Sequence, residues 1–148
     1  MTQELLSGKK ADSLELINRE SCTRLAKALF DRERAGKFIF LSAEAGILPM
    51  FEDYYKTKLE AEEFLKENAG LHKICVVRPG LVWHRQDRPW LIPFGLAADV
   101  LSKVSGSKTG SPSTNLSTLS DTICSEVMKE QKQQFKLIRA SQMTSCSL

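Results

Sequence analysis

The sequence lacks the clustered metal ligands and the long apolar segments that identify several classes of protein. Among its 148 residues, the four cysteines are widely spaced and form no CxxC pair, and there are two histidines. We therefore do not expect a zinc site. Isolated cysteines favour reduced thiols in an intracellular compartment over a disulfide framework. No run of about 18 apolar residues occurs, which predicts at most a peripheral contact with a membrane.

A glycine-rich phosphate-binding turn is also missing. The eight glycines, at positions 8, 36, 46, 70, 80, 95, 106 and 110, form neither a GxGxxG nor a GxxGxxG pattern. In dinucleotide-binding domains that turn lets the backbone approach the pyrophosphate at a helix N-terminus. We therefore do not expect a complete dinucleotide site in this chain.

Charge of one sign is not concentrated anywhere in the sequence. The net charge is +3, and no Lys/Arg run interleaves with aromatic residues, so nucleic acid is not an expected partner. Apolar residues make up 42% and charged residues 26%, as in one soluble globular domain. The N-terminal stretch MTQELLSGKK has neither the apolar core of a secretory signal nor the Arg-rich character of a mitochondrial presequence.

What is present is an alternation of helical and apolar segments. Apolar residues at helical spacing predict amphipathic helices over residues 12–34 and 53–68. The short apolar runs at 37–42 and 73–78 predict strands that are buried on both faces. This alternation is typical of a parallel α/β sheet with helices on its faces. The core of the domain is expected within residues 12–104.

The remaining segments give weaker signals. Irregular structure is predicted for four of them: a flexible N-terminus at 1–11, a loop at 81–92, a Gly/Ser-rich linker at 105–117 and a tail at 141–148. Regular elements are predicted for three others: a short apolar helix at 93–104, a helix within 118–131 and a strand at 135–140. Two or three strands supply material for about one βαβαβ half of a doubly wound domain.

Tyr54 and Lys58 are the first candidates for chemistry. They stand four residues apart in YYKTKLEAEEF, so on a helix they share one face. A nearby ammonium group favours the phenolate and lowers the pKa of a tyrosine, which suits proton transfer at a carbonyl oxygen. The alternative is a surface tyrosine and a solvated lysine on an amphipathic helix.

The order of motifs around this pair resembles that of short-chain dehydrogenase/reductases. A strand ending in Ser42, a loop, the YxxxK helix, a second strand and Pro79-Gly80 follow one another. YYKTKLEAEEFL and VVRPGLV are closest to the extended and atypical branch of that family. Together with INRESCTRLAKAL and FIFLSAEAGILP, they look like its mitochondrial relatives in coenzyme Q biosynthesis. The Rossmann-type accessory subunit of respiratory complex I is similar too.

The resemblance implies a partial Rossmann-type parallel sheet with helices on both faces and without its N-terminal βαβ half. It implies an NAD- or NADP-dependent oxidoreductase of mitochondrial coenzyme Q (ubiquinone) metabolism, truncated and inactive alone. The alternative it allows is a non-catalytic scaffold subunit of a multi-subunit mitochondrial complex. Residues 118–140 fit this pattern only loosely.

The resemblance also assigns roles to individual residues. Tyr54 would be the acid/base, and Lys58 would tune it and hold the nicotinamide ribose. Pro79 and Gly80 would lie against the cofactor. Asn18 stands where the family often has a helix asparagine that supports a proton-relay water; the alternative is an ordinary residue of the helix surface.

The serine departs from the family pattern. Where the strand ends in Ser-Ser, the second serine usually polarises the substrate, and here that position is Ala43. Either Ser42 acts in a shifted register or the hydroxyl is missing and Ser42 is a simple strand-end serine. An absent oxyanion partner commonly costs about 10²–10³ in rate, so Ala43 favours the scaffold alternative.

Overall fold

The computed structural model describes residues 13, 15–31, 36–44, 52–70, 72–84, 93 and 113–143. The predicted N-terminal segment at 1–11 lies outside the described residues, as do nearly all of the predicted helix at 93–104 and most of the predicted tail.

The described residues form three α-helices. They are α1 (Ser21–Phe30), α2 (Glu52–Glu67) and α3 (Leu116–Met128). The first is preceded by a π-helical segment, Glu15–Glu20, so the long helix predicted here begins with a widened turn. Helix α3 begins at 116 because the side chain of Asn115 accepts a hydrogen bond from the Ser117 amide at 3.1 Å. The helix predicted at 53–68 is observed with its ends shifted by one residue.

The described residues also form five strands. Three of them lie where the sequence predicts strands, and two lie where it predicts none. They are β1 (Lys37–Leu41), β2 (Lys73–Arg78), β3 (Leu81–Trp83), β4 (Ser113–Asn115) and β5 (Phe135–Arg139). The main sheet has the order β1-β2-β5, and both of its pairings are parallel. The predicted parallel α/β fold is confirmed.

Each face of the main sheet has its own apolar core. Alternate residues of β2 belong to different cores, Ile74 and Val76 to one, Cys75 and Val77 to the other. The first core packs under α1 and α2, with Leu65 of α2 fully buried. The second packs under α3 through Leu119. Helices therefore cover both faces, as the sequence predicts.

The two connections of the sheet differ in hand. The steps from β1 to β2 and from β2 to β5 run in the same direction across the sheet. Their helices, α2 and α3, lie on opposite faces. The two crossovers must therefore have opposite hands, and one of them is left-handed. About 98% of such connections are right-handed, so this topology is an uncommon feature.

The loop and linker predictions need correction at two places. Strands β3 and β4 form a separate parallel pair, with Val82 opposite Thr114. The Gly80 amide donates to the Thr114 hydroxyl at 3.0 Å and ties this pair to the end of β2. Three-residue strands are too short to show periodicity, and the second consists of polar residues. The predicted tail also begins with a short 3-10 helix, Ala140–Gln142.

Candidate active site at the carboxyl ends of the strands

The YxxxK helix is tied to the carboxyl end of β1. The Lys58 ammonium donates a hydrogen bond to the Leu41 carbonyl at 3.1 Å, and Leu41 is the last residue of that strand. The next amide, of Ser42, donates to the Val77 carbonyl at 2.8 Å and continues the ladder. In open α/β sheets ligands bind outside the carboxyl ends of the strands. Tyr54, Lys58 and Ser42 thus belong to the part of the sheet where a ligand is expected.

Lys58 lies between two aromatic rings. Its ammonium is 5.1 Å from the ring centroid of Phe40 and 5.8 Å from that of Tyr54. At these distances the positive charge interacts favourably with the ring faces. The described contacts of Lys58 are thus to the rings of Phe40 and Tyr54 and to a main-chain carbonyl. The alternative of a freely solvated lysine does not hold.

Burial changes the acidity of both residues. It raises the pKa of the Tyr54 phenol, because the phenolate loses hydration. It lowers the pKa of the Lys58 ammonium for the same reason. The direction for Tyr54 is opposite to the one predicted from a lysine neighbour. Tyr54 is therefore protonated at neutral pH and suited to donate a proton rather than to accept one.

Asn18 lies between the two helices of this face. It is 8% exposed and belongs to the π-helical segment. Its amide donates to the Thr57 hydroxyl at 3.5 Å, and that hydroxyl donates to the Tyr54 carbonyl at 2.9 Å. Single π-turns occur frequently at functional sites. The widened turn places Asn18 beside the middle of the YxxxK motif. Asn18 is therefore not an ordinary residue of the helix surface.

Ser42 is buried, and its hydroxyl has no hydrogen-bond partner among the described residues. The residue is 3% exposed. A buried hydroxyl without a partner costs about 1–3 kcal/mol, and a catalytic role, a bound water or an ion each explain such a group. Ser42 is thus a buried residue at the strand end, and its role in polarising a substrate remains a prediction.

Pro79 and Gly80 connect the ends of three strands. The Pro79 carbonyl accepts from the Glu44 amide at 2.9 Å, while the Gly80 amide donates to Thr114. The Gly80 amide is therefore engaged inside the protein. The predicted contact of both residues with a cofactor remains a prediction.

The ion pair between Glu62 and Arg78, which the sequence did not predict, connects α2 to the end of β2. Arg78 Nε donates to Glu62 Oε1 at 2.8 Å, and Arg78 Nη2 contacts the other oxygen of the same carboxylate. This bonding raises the pKa of Arg78. Glu62 follows Lys58 by one helical turn, and Arg78 precedes Pro79. The available signal was the shared spacing of Tyr54, Lys58 and Glu62 on one helix face.

A shallow groove of about 440 Å³ lies elsewhere, between α1 and α2. The residues that line it are mostly charged: Arg19, Thr23, Lys27, Glu60, Glu63, Phe64 and Glu67. Arg19 pairs with Glu60 across it at 3.0 Å. None of the candidate site residues lines this groove, so we place no chemistry there.

Comparison with protein-family models gives no match, and comparison with curated proteins gives none either. Among the residues described above, no group of three His, Cys, Asp or Glu side chains is arranged to hold a metal ion. None of the described helices is long and apolar enough to cross a membrane. The geometry at the ends of β1 and β2 is thus the basis for the function proposed below.

Proposed function

We propose that this chain carries the proton-transfer part of an NAD- or NADP-dependent carbonyl oxidoreductase of the short-chain dehydrogenase/reductase type. The observation that carries the proposal is the bond from Lys58 to the Leu41 carbonyl. It joins the Tyr54/Lys58 helix to the strand end that bears the unpartnered Ser42 hydroxyl. Asn18 contacts the same helix through Thr57. These are the four residues that the family resemblance assigns to catalysis.

In this proposal the chain's own residues polarise and protonate a carbonyl oxygen. The Ser42 hydroxyl is free to donate a hydrogen bond to that oxygen. Tyr54, held protonated by burial, supplies the proton as the oxygen gains negative charge. The Lys58 ammonium, close to the Tyr54 ring, stabilises the phenolate that remains. This direction of reaction is carbonyl reduction.

A nicotinamide cofactor would supply the hydride when bound. The unused Ser42 hydroxyl and the adjoining Lys58 fit the reactive end of such a cofactor–substrate pair, with Lys58 and Tyr54 as the residues that would hold the ribose. The glycines form no phosphate-binding pattern, so the chain alone should bind a dinucleotide weakly. We expect no saturable binding of NADH or NADPH below the millimolar range.

The test compares two adjacent tyrosines of the same helix. Tyr54→Phe should lower the reduction of a carbonyl substrate by at least the roughly 10²–10⁴-fold typical of general acid catalysis. Tyr55→Phe is the matched control, since Tyr55 is also half-buried on α2 but belongs to no YxxxK pair. Millimolar NADPH and a panel of ketones and quinones are the substrates. Equal losses in both variants would contradict the proposed role of Tyr54.

Lys58→Met tests the second role of the pair. It should weaken cofactor binding as well as turnover, because the ammonium is lost while the aliphatic stem still packs. Lys56→Met, on the exposed side of the same helix, is its control. If both variants bind NADPH as the parent does, Lys58 does not hold the ribose.

A scaffold function is the second candidate. Two observations favour it: Ala43 replaces the expected second serine, and the glycines form no phosphate-binding pattern. In that case the chain would be a non-catalytic subunit of a multi-subunit mitochondrial complex. Absence of turnover in the parent protein, with partner binding unchanged by Tyr54→Phe and Lys58→Met, would support the scaffold.

The proposal extends to mitochondrial coenzyme Q biosynthesis on the resemblance alone. The supporting segments are INRESCTRLAKAL and YYKTKLEAEEFL. Disrupting the gene should lower the cellular ubiquinone content, and a tagged protein should fractionate with mitochondria. Unchanged ubiquinone together with a different location would overturn this extension and leave the enzymatic proposal standing.

A further inference from the structure

Two buried polar groups beyond the end of β1 have unused hydrogen-bonding capacity. One is the hydroxyl of Ser42, and the other is the Oε2 atom of Glu44. The Glu44 side chain is 11% exposed, and Ser42 is 3% exposed. Neither atom has a hydrogen-bond partner in the described part of the chain. Ser42 belongs to the candidate active site, whereas Glu44 has no role in the sequence analysis.

The backbone holds these two side chains on one face. The Ser42 amide donates to the Val77 carbonyl at 2.8 Å and the Glu44 amide to the Pro79 carbonyl at 2.9 Å. The extended pairing therefore continues past Leu41. Alternate residues of an extended strand face the same side, with about 6.5–7 Å between their Cα atoms. Ser42 and Glu44 consequently present their side chains together.

The Glu44 carboxylate has an ion-pair partner near one oxygen, and it also interacts electrostatically with Arg78. Its Oε1 lies 4.0 Å from Arg139 Nη1, at the end of β5. Its Oε2 is the buried and unpartnered atom. A buried carboxylate oxygen requires a hydrogen-bond donor, since leaving a charged acceptor unsatisfied costs more than leaving a neutral one. The site thus offers the Ser42 hydroxyl as a donor. Two residues later, on the same face, the Glu44 carboxylate is a strong acceptor.

We infer that Glu44 is a specificity-determining residue that selects carbonyl substrates carrying a neighbouring hydroxyl group. The inference rests on the proposed function, because it takes the substrate carbonyl to lie against Ser42. The Ser42 hydroxyl donates to the carbonyl oxygen, and Glu44 Oε2 accepts from the substrate hydroxyl. A substrate whose hydroxyl is methylated has no donor for Glu44 and leaves that oxygen unpaired. Sites built to bond a substrate hydroxyl discriminate strongly against analogues that lack it.

The first experiment measures binding without cofactor, by ligand-observed NMR on the 148-residue chain. The probes are 2-hydroxyacetophenone, 2-methoxyacetophenone and acetophenone. We expect the hydroxy ketone to bind at least about tenfold more tightly than the methoxy ketone, the factor that about 1.4 kcal/mol produces. Ser42→Ala should weaken all three probes by a similar factor, because it removes the contact to the carbonyl that they share.

Glu44→Gln is the decisive variant. Arg139 can donate only to the amide oxygen of the new side chain, so the amide nitrogen takes the place of Oε2. An acceptor becomes a donor, and the preference for hydroxy over methoxy ketone should vanish or reverse. Glu67→Gln, an exposed residue of α2, is the matched control and should keep the parent preference. Glu44→Asp, which keeps the charge but withdraws it by one methylene, should also lose the preference.

Four outcomes overturn the inference: no binding of any probe up to its solubility limit, equal binding of hydroxy and methoxy ketone, a preference that survives both Glu44 variants, or a preference that Glu67→Gln also removes. Loss of the preference in Glu44→Asp alone supports it if Glu44→Gln does not fold. Failure of the proposed function is distinguishable, because it is read from turnover. A chain that selects the hydroxy ketone but reduces nothing keeps Glu44 as a selective ligand and counts against the proposed turnover alone.

Discussion

Removing the Glu62 carboxylate should destabilise the protein more than removing any exposed acid. The side chains of Glu62 and Arg78 are 6% and 19% exposed, so solvent screens this pair little. In Glu62→Ala the Arg78 guanidinium would remain largely buried without its partner. Breaking a buried pair in this way costs about 3–5 kcal/mol. We expect a loss toward the lower value, because Arg78 keeps some access to water.

The control is an exposed pair of similar geometry. Glu20 and Arg24 are joined at 2.8 Å, but the Arg24 side chain is 78% exposed. Exposed pairs contribute about 0–1 kcal/mol, so Arg24→Ala should change stability very little. The double variant Glu62→Leu/Arg78→Leu should recover most of the loss, since apolar residues of similar size often replace buried pairs without cost.

The assay is urea unfolding followed by far-ultraviolet circular dichroism, with the free energy of unfolding extrapolated to water. A loss of less than about 1 kcal/mol in Glu62→Ala would refute the reasoning, because the pair would then behave like an exposed one. So would a double variant that is no more stable than Glu62→Ala. Either result would mean that Arg78 finds water or another acceptor when Glu62 is gone.

Two further predictions follow from burial and acidity. Cys124 is exposed while Cys22 and Cys75 are buried, and burial raises the pKa of both buried thiols. Iodoacetamide should therefore modify Cys124 well before Cys22 or Cys75, as measured by peptide mass spectrometry. Equal rates of modification under native conditions would contradict the burial of Cys22 and Cys75. Burial also raises the pKa of both tyrosines, Tyr54 and Tyr55. Their contribution to stability should be complete below the ordinary pKa of about 10 and be lost as pH rises through the folded-state values. An ultraviolet absorbance titration should show both ionising above the pKa of free tyrosine, and a native-state step below that value would be inconsistent with this.

The Glu62–Arg78 pair also bears on the candidate site. Glu62 lies one turn beyond Lys58 on α2, and Arg78 is the last residue of β2 before Pro79 and Gly80. The pair joins the helix that carries Tyr54 and Lys58 to the strand end that carries the Pro-Gly turn. The pair therefore links the two parts of the candidate site.

The sequence by itself determined the strands and helices whose burial follows a regular pattern along the chain. Residues 73–78 are buried on both faces, and only a nearly unbroken apolar run satisfies both covering layers. Helix α2 was predictable because its buried residues, such as Ala61 and Leu65, recur at helical spacing. The shared face of Tyr54 and Lys58 follows from the same period. These features depend on neighbours in the chain, which the sequence displays directly.

Only the tertiary structure decided which distant groups meet. The order β1-β2-β5 and the pairing of β3 with β4 join segments whose sequences do not specify a partner. Tertiary packing also buried Ser42 and half-buried Glu44, which the sequence presents as ordinary polar residues at a strand end. It raised the pKa of Tyr54, against the direction expected from a lysine one turn away, because the surrounding atoms remove water from the phenolate. Burial depends on atoms far apart in the chain, and local spacing carries no record of them.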